Sequence, residues 1–150
     1  MGNDEPTEIS IGPYSDADFE SVTQVWFDSA SSMGIPMPVT LNDLRARWPN
    51  EIAGGWAISV AKAANIPIGF MALKGNKLDQ LFIVPDYQGR GIGKRFVDIA
   101  KSRFPEGLFV TGAIPGRSTK FYEREGFERG EISQDFFGRT IVRYDWRPQP

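Results

Sequence analysis

The sequence predicts one α/β domain in which helices flank a mixed, mostly antiparallel central sheet. Three observations support this fold class. The chain has 150 residues, of which 41% are hydrophobic and 24% charged, which suits a single globular domain. Some segments repeat their apolar residues with a helical period, whereas others alternate like strands, and short turns in the middle of the chain join antiparallel neighbours. We therefore expect one domain over residues 1–150, with a flexible N-terminus over residues 1–7.

Four segments have the 3.6-residue apolar period of amphipathic helices, and each begins near a residue or loop that can cap it. Gly54-Gly55 closes the second helix and Gly126 stops the fourth. Residues 31–38 form a breaker-rich loop with an unusual apolar content between the first two helices. The predicted helices run from about Ala17 to Ala30, from Thr40 or Asn42 to about Ile52, from about Gly91 to Phe104, and from Arg117 to Glu125.

Seven segments are predicted strands, and the turns between them fix the pattern of connection. Ala64-Asn65 and Gly75-Asn76 make tight turns inside a three-stranded meander, and Gly138 lies in a closing hairpin. Pro13 ends the first strand. The element order is β-α-α-β-β-β-α-β-α-β-β, which predicts layers packed around one sheet. The predicted strands cover residues 8–12, 56–61, 66–73, 77–84, 108–113, 127–133 and 140–146.

The residue types that the chain lacks exclude several kinds of catalytic and metal-binding site. It contains no cysteine and no histidine, which excludes disulfides, cysteine nucleophiles and a Ser-His-Asp triad. Zinc would have only carboxylates as ligands, and no metal is expected. Acid–base chemistry must therefore use Asp, Glu, Tyr, Lys, a chain terminus or water.

Charge and hydropathy argue against several classes of partner. The formal net charge of -2 gives no overall footprint for nucleic acid. No apolar run approaches the ~20 residues that a membrane helix needs, and the acidic, polar first residues are unlike a secretory signal. We expect a cytoplasmic protein that binds neither nucleic acid nor a membrane. Residues 76–150 carry 13 basic and 10 acidic side chains, which favours a local anionic ligand in that half.

A glycine-rich loop, Gln88-Gly89-Arg90-Gly91-Ile92-Gly93, lies between a predicted strand and an amphipathic helix. Glycine lets the backbone approach a ligand, and the first turn of a helix offers unpaired N–H donors at the positive end of its dipole. Together these features form an anion site suited to phosphate, to which Arg90, Lys94 and Arg95 add positive charge. The glycine spacing matches neither the dinucleotide fingerprint nor the P-loop. A glycine-rich turn without a ligand is the alternative interpretation.

Two further segments extend the pattern of this loop. Leu81-Phe82-Ile83-Val84-Pro85 directly precedes it, and Phe121-Tyr122-Glu123 with Gly126-Phe127 follows it. With these segments the sequence resembles the GNAT superfamily of acetyl-CoA-dependent N-acetyltransferases, in its single-domain bacterial form. The family's pyrophosphate loop reads Q/R-x-x-G-x-G/A, which Gln88, Gly91 and Gly93 satisfy. The other two segments resemble the family's fourth strand and its F-Y-E-x-x-G-F segment, and the element order matches over nearly the whole chain.

The resemblance implies acetyl-CoA as the acyl donor and a place for each part of it. In that family two strands splay apart, the pantetheine arm lies in the gap, and the N–H groups of the loop hold the pyrophosphate. The family's asparagine is replaced here by Pro115, so Ser118 or Thr119 would replace its contact. Arg117, Lys120 and Arg124 would meet the 3′-phosphate or form a solvated helix face. The implied cofactor residues are Phe82, Ile83, Val84, Gln88, Gly89, Arg90, Gly91, Ile92, Gly93, Lys94, Ser118 and Lys120.

The resemblance also implies direct transfer of acetyl to a primary amine. Tyr122 aligns with the family tyrosine that can protonate the departing CoA thiolate, and a core tyrosine packed beside Phe121 is the alternative. An amine with a pKa of ~10.4 is mostly protonated at pH 7, so some group must take its proton. Asp79 is the leading candidate for this base, ahead of Glu51 and Glu123. Asp79 could equally be a solvated strand residue or an ion-pair partner.

The acceptor pocket of such proteins is shaped by the loop between the first two helices and by the last hairpin. The corresponding apolar residues here either line a pocket or simply cover the core. The acceptor is a small-molecule or peptide amine. A non-catalytic acyl-CoA sensor or assembly module, and a binder of other nucleotide phosphates, are the rival functions; a strand edge or the last hairpin could form a homodimer. The pocket residues are Trp26, Met33, Ile35 and Met37, with Phe136 and Phe137 opposite.

Overall fold

The computed structural model describes residues 8–32, 40–113, 117–134 and 138–148. Within these residues the elements follow the predicted order, and the predicted fold class is confirmed. Three-residue 3-10 turns precede the first helix and follow the fourth strand, at Asp16–Asp18 and Pro85–Tyr87. The helices are α1 (Phe19–Ser32), α2 (Leu41–Ala53), α3 (Ile92–Arg103) and α4 (Arg117–Arg124). The strands are β1 (Ile9–Pro13), β2 (Trp56–Ala63), β3 (Ile66–Lys74), β4 (Lys77–Ile83), β5 (Leu108–Ala113), β6 (Glu128–Gln134) and β7 (Thr140–Trp146).

The chain divides into two compact units. The first contains Met1–Ala72 and Gln80–Gly93, and the second contains Leu73–Asp79 and Lys94–Pro150. Strands of the first unit lie in the order β1-β2-β3, followed by the end of β4. Those of the second unit lie in the order β4-β5-β7-β6, beginning with the start of β4. The pairs β1–β2, β5–β7 and β6–β7 are antiparallel, whereas β4 and β5 pair in parallel.

Local signals explain how the helices of the first unit begin. The Thr40 side chain accepts a hydrogen bond from the Asp43 N–H (3.1 Å), and the Asp43 carboxylate accepts one from the Thr40 N–H (2.9 Å). This reciprocal capping box starts α2, so Thr40 rather than Asn42 is the cap. The α1 helix begins at Phe19 because the first turn after Ser15 is a 3-10 turn.

Turn residues with positive φ connect the strands of the meander. Ala64 and Asn65 have φ values of 50° and 66°, the combination that a two-residue hairpin turn of the right twist requires. Gly75 opens the next turn with φ 56°. The first strand is shifted by one residue from the predicted range of 8–12 to Ile9–Pro13, because Pro13 still pairs with Ser59 of β2. Proline is tolerated there because β1 lies at the end of the strand order, where a missing N–H leaves no partner unsatisfied.

An aromatic cluster forms the core of the first unit. The Trp48 ring lies 5.8 Å from Trp26, 5.6 Å from Trp56 and 5.3 Å from Phe70, and Phe82 lies 5.9 Å from Phe70. Tilted and edge-on ring pairs of this kind each add about 0.5–1.5 kcal/mol beyond the burial of their area. The cluster therefore ties α1 and α2 to β2, β3 and the end of β4. The other buried members are Val22, Val25, Ala30, Leu44, Val60 and Ala72.

In the second unit, a lysine fixes the end of the short helix α4. The Lys101 ammonium donates a hydrogen bond of 2.6 Å to the Glu125 carbonyl. It also lies 5.2 Å from the Trp146 ring and 5.9 Å from the Phe127 ring. A cation at a helix C-terminus satisfies a free carbonyl and complements the dipole. Gly126 then leaves the helix with φ 92°, a conformation that favours glycine.

Candidate functional site

The end of β4 is fixed against β3 by a backbone hydrogen bond. The Val84 N–H donates to the Ile68 carbonyl (2.9 Å), and the Val84 carbonyl accepts from the Tyr87 N–H (2.9 Å). Successive residues of a strand direct their backbone groups to opposite edges. Phe82 therefore faces β3, as Val84 does, and Ile83 directs its N–H and carbonyl to the other edge. Of the three residues predicted to offer backbone groups to the cofactor, Val84 has its N–H engaged by β3, and Ile83 is the one whose backbone groups face away from β3.

A glycine in β3 allows this close approach of the two strands. A Cβ atom placed on Gly69 would lie 2.9 Å from the Phe82 carbonyl oxygen and 3.1 Å from the Ile83 side chain. No real side chain fits at that distance, so Gly69 sets the position of the end of β4. Gly69 is not among the site residues predicted from the sequence. An isolated glycine inside an otherwise apolar strand was the available signal, because it indicates close backbone approach.

The glycine-rich loop is braced by its own side chains. The Gln88 amide Nε2 donates a hydrogen bond of 2.9 Å to the Ile83 carbonyl. The Arg90 guanidinium donates one of 3.0 Å to the Asp86 carbonyl and stacks 4.7 Å from the centre of the Tyr87 ring. Gln88 and Arg90, two of the residues predicted to bind the cofactor, thus have side chains that contact the backbone and a ring of the loop itself.

The loop backbone has the conformation that an anion site needs. Gly89 and Gly91 have φ values of 75° and 80°, and open space lies where each would carry a Cβ atom. Helix α3 follows at Ile92, whose side chain is buried, while Gly93 is half-buried. The loop therefore presents backbone N–H groups at the start of a helix, where free N–H groups attract negative charge.

Lys94, in the second unit, has its charge engaged by carboxylates. Its Nζ lies 3.4 Å from Glu125 and 3.5 Å from Asp98. The charge and hydrogen bond of Glu125, and then the charge of Asp98, raise the pKa of Lys94 above its usual value, against a small opposing effect of desolvation. Lys120 is exposed on α4. The charge of Lys94 is thus partly neutralised before any ligand binds.

Tyr122 lies in the core of the second unit. Its side chain is 6% exposed, and its ring lies 5.1 Å from Phe121 and 5.4 Å from Phe127. Burial raises the pKa of the Tyr122 phenol well above its usual value. The hydroxyl therefore keeps its proton throughout the physiological pH range, and it can act as a hydrogen-bond or proton donor.

The carboxylates weighed as bases are all engaged by neighbours. Asp79 lies 3.3 Å from the Lys77 ammonium, and its side chain is 20% exposed. Glu123 accepts a hydrogen bond of 3.1 Å from the buried Tyr144 hydroxyl. Glu51 forms a 3.6 Å ion pair with Arg47 on the surface of α2. The ion pair between Asp79 and Lys77 agrees with the alternative interpretation of Asp79 as an ion-pair partner. The Asp79 carboxylate still has oxygen lone pairs that can accept a hydrogen bond from water.

The predicted acceptor-pocket residues divide into two groups. Trp26 is 3% exposed and lies in the aromatic cluster, so it covers the core rather than lining an open pocket, because rings surround it on several sides. Ser118, which the resemblance assigns to the cofactor and not to the acceptor pocket, belongs to helix α4. The remaining predicted positions lie outside the described residues: Met33, Ile35, Met37, Pro115, Phe136 and Phe137.

Comparison with known proteins identifies the family. Residues 39–147 match the model of the acetyltransferase (GNAT) domain, which is well over half of the chain. The chain belongs to the GNAT acetyltransferase family. The resemblance of its loop and of its tyrosine segment to that family is thereby confirmed. Within the described residues, this GNAT chain has no helix long and apolar enough to cross a membrane and no cluster of three acidic residues arranged to hold a metal ion.

Individual GNAT relatives agree with this assignment. The chain is 39% identical over 74 residues to the peptidyl-lysine N-acetyltransferase YjaB of Escherichia coli, which is 49% of this chain and 50% of that protein. It thus spans about half the length of the curated relatives it matches. The solution structure of apo YjaB from Escherichia coli superimposes with a TM-score of 0.72 and 24% identity, over 93% of this chain and 97% of that one. The structure of yncA from Salmonella typhimurium, solved with acetyl-CoA, superimposes with a TM-score of 0.67 and 14% identity, over 93% of each chain. These two structural likenesses establish the fold.

The position of Gly69 leads to a test of how the end of β4 is held. The Gly69→Ala substitution should lower the free energy of unfolding by about 1–3 kcal/mol, because backbone atoms must move to admit the methyl group. Urea denaturation measures this change. Gly12→Ala is the matched control, since Gly12 also lies in a strand but has open space around the added Cβ. Equal effects of the two substitutions would contradict the role given to Gly69.

Proposed function

We propose that this chain transfers an acetyl group from acetyl-CoA directly to a primary amine. The observation that carries the proposal is the glycine-rich loop, which is preformed at the start of α3 and has two glycines at positive φ. Such a loop suits a pyrophosphate, and the chain belongs to a family of acetyltransferases. A non-catalytic acyl-CoA sensor or assembly module of the same fold is the second candidate, and it would bind the donor without turnover.

The proposed donor contacts are mainly backbone groups. The N–H groups from Gly89 to Lys94 hold the pyrophosphate, and the Ile83 N–H, which faces the edge of β4 away from β3, meets the acetyl carbonyl. An N–H aimed at a thioester oxygen stabilises the negative charge that develops there. Ser118 and Lys120 are proposed for the adenine end of the cofactor. No metal takes part in this scheme.

The proposed reaction is a single displacement. The amine nitrogen attacks the thioester carbonyl carbon, a C–N bond forms, and the C–S bond breaks to release CoA thiolate. Tyr122 gives its phenolic proton to the thiolate and regains one from water. Asp79 takes the proton that the amine loses, directly or through water. The absence of cysteine fits direct transfer because the chain offers no thiol to carry the acetyl group.

The acceptor is proposed only as a class. The matched segment of YjaB belongs to a protein named as a peptidyl-lysine N-acetyltransferase, and a lysine side chain and a small-molecule primary amine share the same reacting group. We propose a cytoplasmic enzyme that acts on one of these two and binds neither nucleic acid nor a membrane. Strand β6, exposed along its whole length and last in its strand order, is the edge proposed for a homodimer, which size-exclusion chromatography with light scattering would detect.

Donor binding is the first expected outcome. Acetyl-CoA and CoA at a hundredfold excess over Kd should each stabilise the protein by about 2.7 kcal/mol, or about 5–11 °C in Tm for a chain of this size, whereas ATP and NAD should not. A thermal-shift assay measures this, and thiol release with a panel of amines and lysine peptides then separates the enzyme from the sensor. If CoA at millimolar concentration does not change Tm, both the enzyme and the sensor are ruled out.

Tyr122→Phe should lower kcat by about a hundredfold, the smaller end of what a general acid contributes, and leave Kd for acetyl-CoA unchanged. Because burial raises the pKa of the phenol, the wild-type rate should show no decline from its ionisation as the pH rises through the physiological range. Steady-state kinetics test both points. Tyr14→Phe is the control, since Tyr14 packs on Trp48 in the other unit. An unchanged kcat with chemistry rate-limiting would leave Tyr122 a core residue only.

Asp79→Asn should lower kcat/KM by about a hundredfold, because the amide cannot accept the amine proton; steady-state kinetics measure this. Lys77→Gln is the matched control: it breaks the same ion pair but keeps the carboxylate, so activity should persist. If both variants lose activity equally, the ion pair is structural and Asp79 is not the base.

A further inference from the structure

Gln88 occupies an unexpected place for the first residue of a phosphate-binding motif. Its side-chain amide donates a 2.9 Å hydrogen bond to the Ile83 carbonyl, five residues earlier. Ile83 is the last residue of β4, and its carbonyl points to the edge away from β3, so β3 cannot supply it with a donor. Gln88 therefore closes a ring that joins the end of the strand to the start of the glycine-rich loop.

Other bonds inside this ring leave it little freedom. The Tyr87 N–H donates to the Val84 carbonyl (2.9 Å), and the Gln88 N–H donates to the Pro85 carbonyl (3.2 Å). Proline fixes its own φ at this point. The backbone from Val84 to Gln88 is thus a closed turn whose last link is the Gln88 side chain.

The geometry of the ring decides where the next N–H groups point. Gly89 and Gly91 have φ values of 75° and 80°, and glycine reaches negative φ about as readily. If the Gln88 side chain did not hold the backbone before Gly89, these two glycines would be free to adopt other conformations, in which their N–H groups point in other directions. A loop that samples such states binds a ligand only in the fraction of molecules that have the competent one.

We propose that Gln88 is a positioning residue, which holds the loop in its anion-binding conformation before the donor arrives and does not itself bind the pyrophosphate. This inference rests on the proposed binding of acetyl-CoA. Binding kinetics distinguish a residue that presets the loop from one that contacts the ligand. A residue that presets the loop raises the association rate constant, because more molecules are competent at each encounter. A residue that contacts the ligand mainly lowers the dissociation rate constant.

The test is Gln88→Met, which keeps the length of the side chain and removes its donor. Stopped-flow binding of CoA should show kon lowered about three- to tenfold, the effect of one ordinary hydrogen bond, with koff within about twofold of wild type. Gln88→Arg, which restores a donor, should recover kon. Gln24→Met is the matched control, because Gln24 makes a similar side-chain bond to Asp28 on α1 and should leave both constants unchanged.

A second measurement needs no ligand. Amide hydrogen exchange of the ligand-free protein should be faster in Gln88→Met from Val84 to Gly91 and unchanged on α1, since the loop opens more often. Raised koff with unchanged kon would make Gln88 a ligand of the anion, and wild-type exchange in the loop would remove the positioning role. If the wild-type protein binds no CoA, the proposed function fails, and the exchange arm still decides whether Gln88 holds the loop.

Discussion

The hydrogen bond from the Val84 N–H to the Ile68 carbonyl fixes the register on which the candidate site depends. A shift of one residue would turn every side chain and backbone group of β4 to the opposite side. Phe82 would then leave the aromatic cluster, where its ring lies 5.9 Å from Phe70, and the Ile83 N–H would face β3. Because both changes come together, the same apolar packing that stabilises the first unit also selects the backbone group offered at the free edge.

The loop that follows shows how polar side chains can shape an anion site without entering it. Arg90 lies over Tyr87, Gln88 is bonded to Ile83, and Lys94 is flanked by two carboxylates. These groups hold conformation or balance charge in the ligand-free protein, and the donors proposed for the anion are backbone N–H groups. Backbone donors in a preformed loop need no side-chain ordering when a ligand binds, so less conformational entropy is lost at that step.

Most of the fold could be predicted because its signals are local. Apolar periodicity and glycine or asparagine turns located the helices and strands to within a few residues. Other features depend on tertiary contacts, which carry no local signal. Pro13 pairs with Ser59, the Val84 N–H is donated to β3, and Trp26 lies in the core, all through contacts between segments distant in sequence. Gln88 illustrates the same limit at the site, since the motif has an identical sequence whether that glutamine binds an anion or the Ile83 carbonyl.

The burial of Tyr122 bears on the proposed proton transfer in two opposite ways. Desolvation raises the pKa of the phenol, which keeps the proton available but makes its release harder. A thiolate that leaves into apolar surroundings is destabilised in the same manner, and its own pKa rises. Proton transfer depends on the difference between the two values, so burial that acts on both groups preserves the driving force. The surroundings that make Tyr122 a good core residue are therefore compatible with the proposed role as an acid, and the two interpretations of this side chain need not compete.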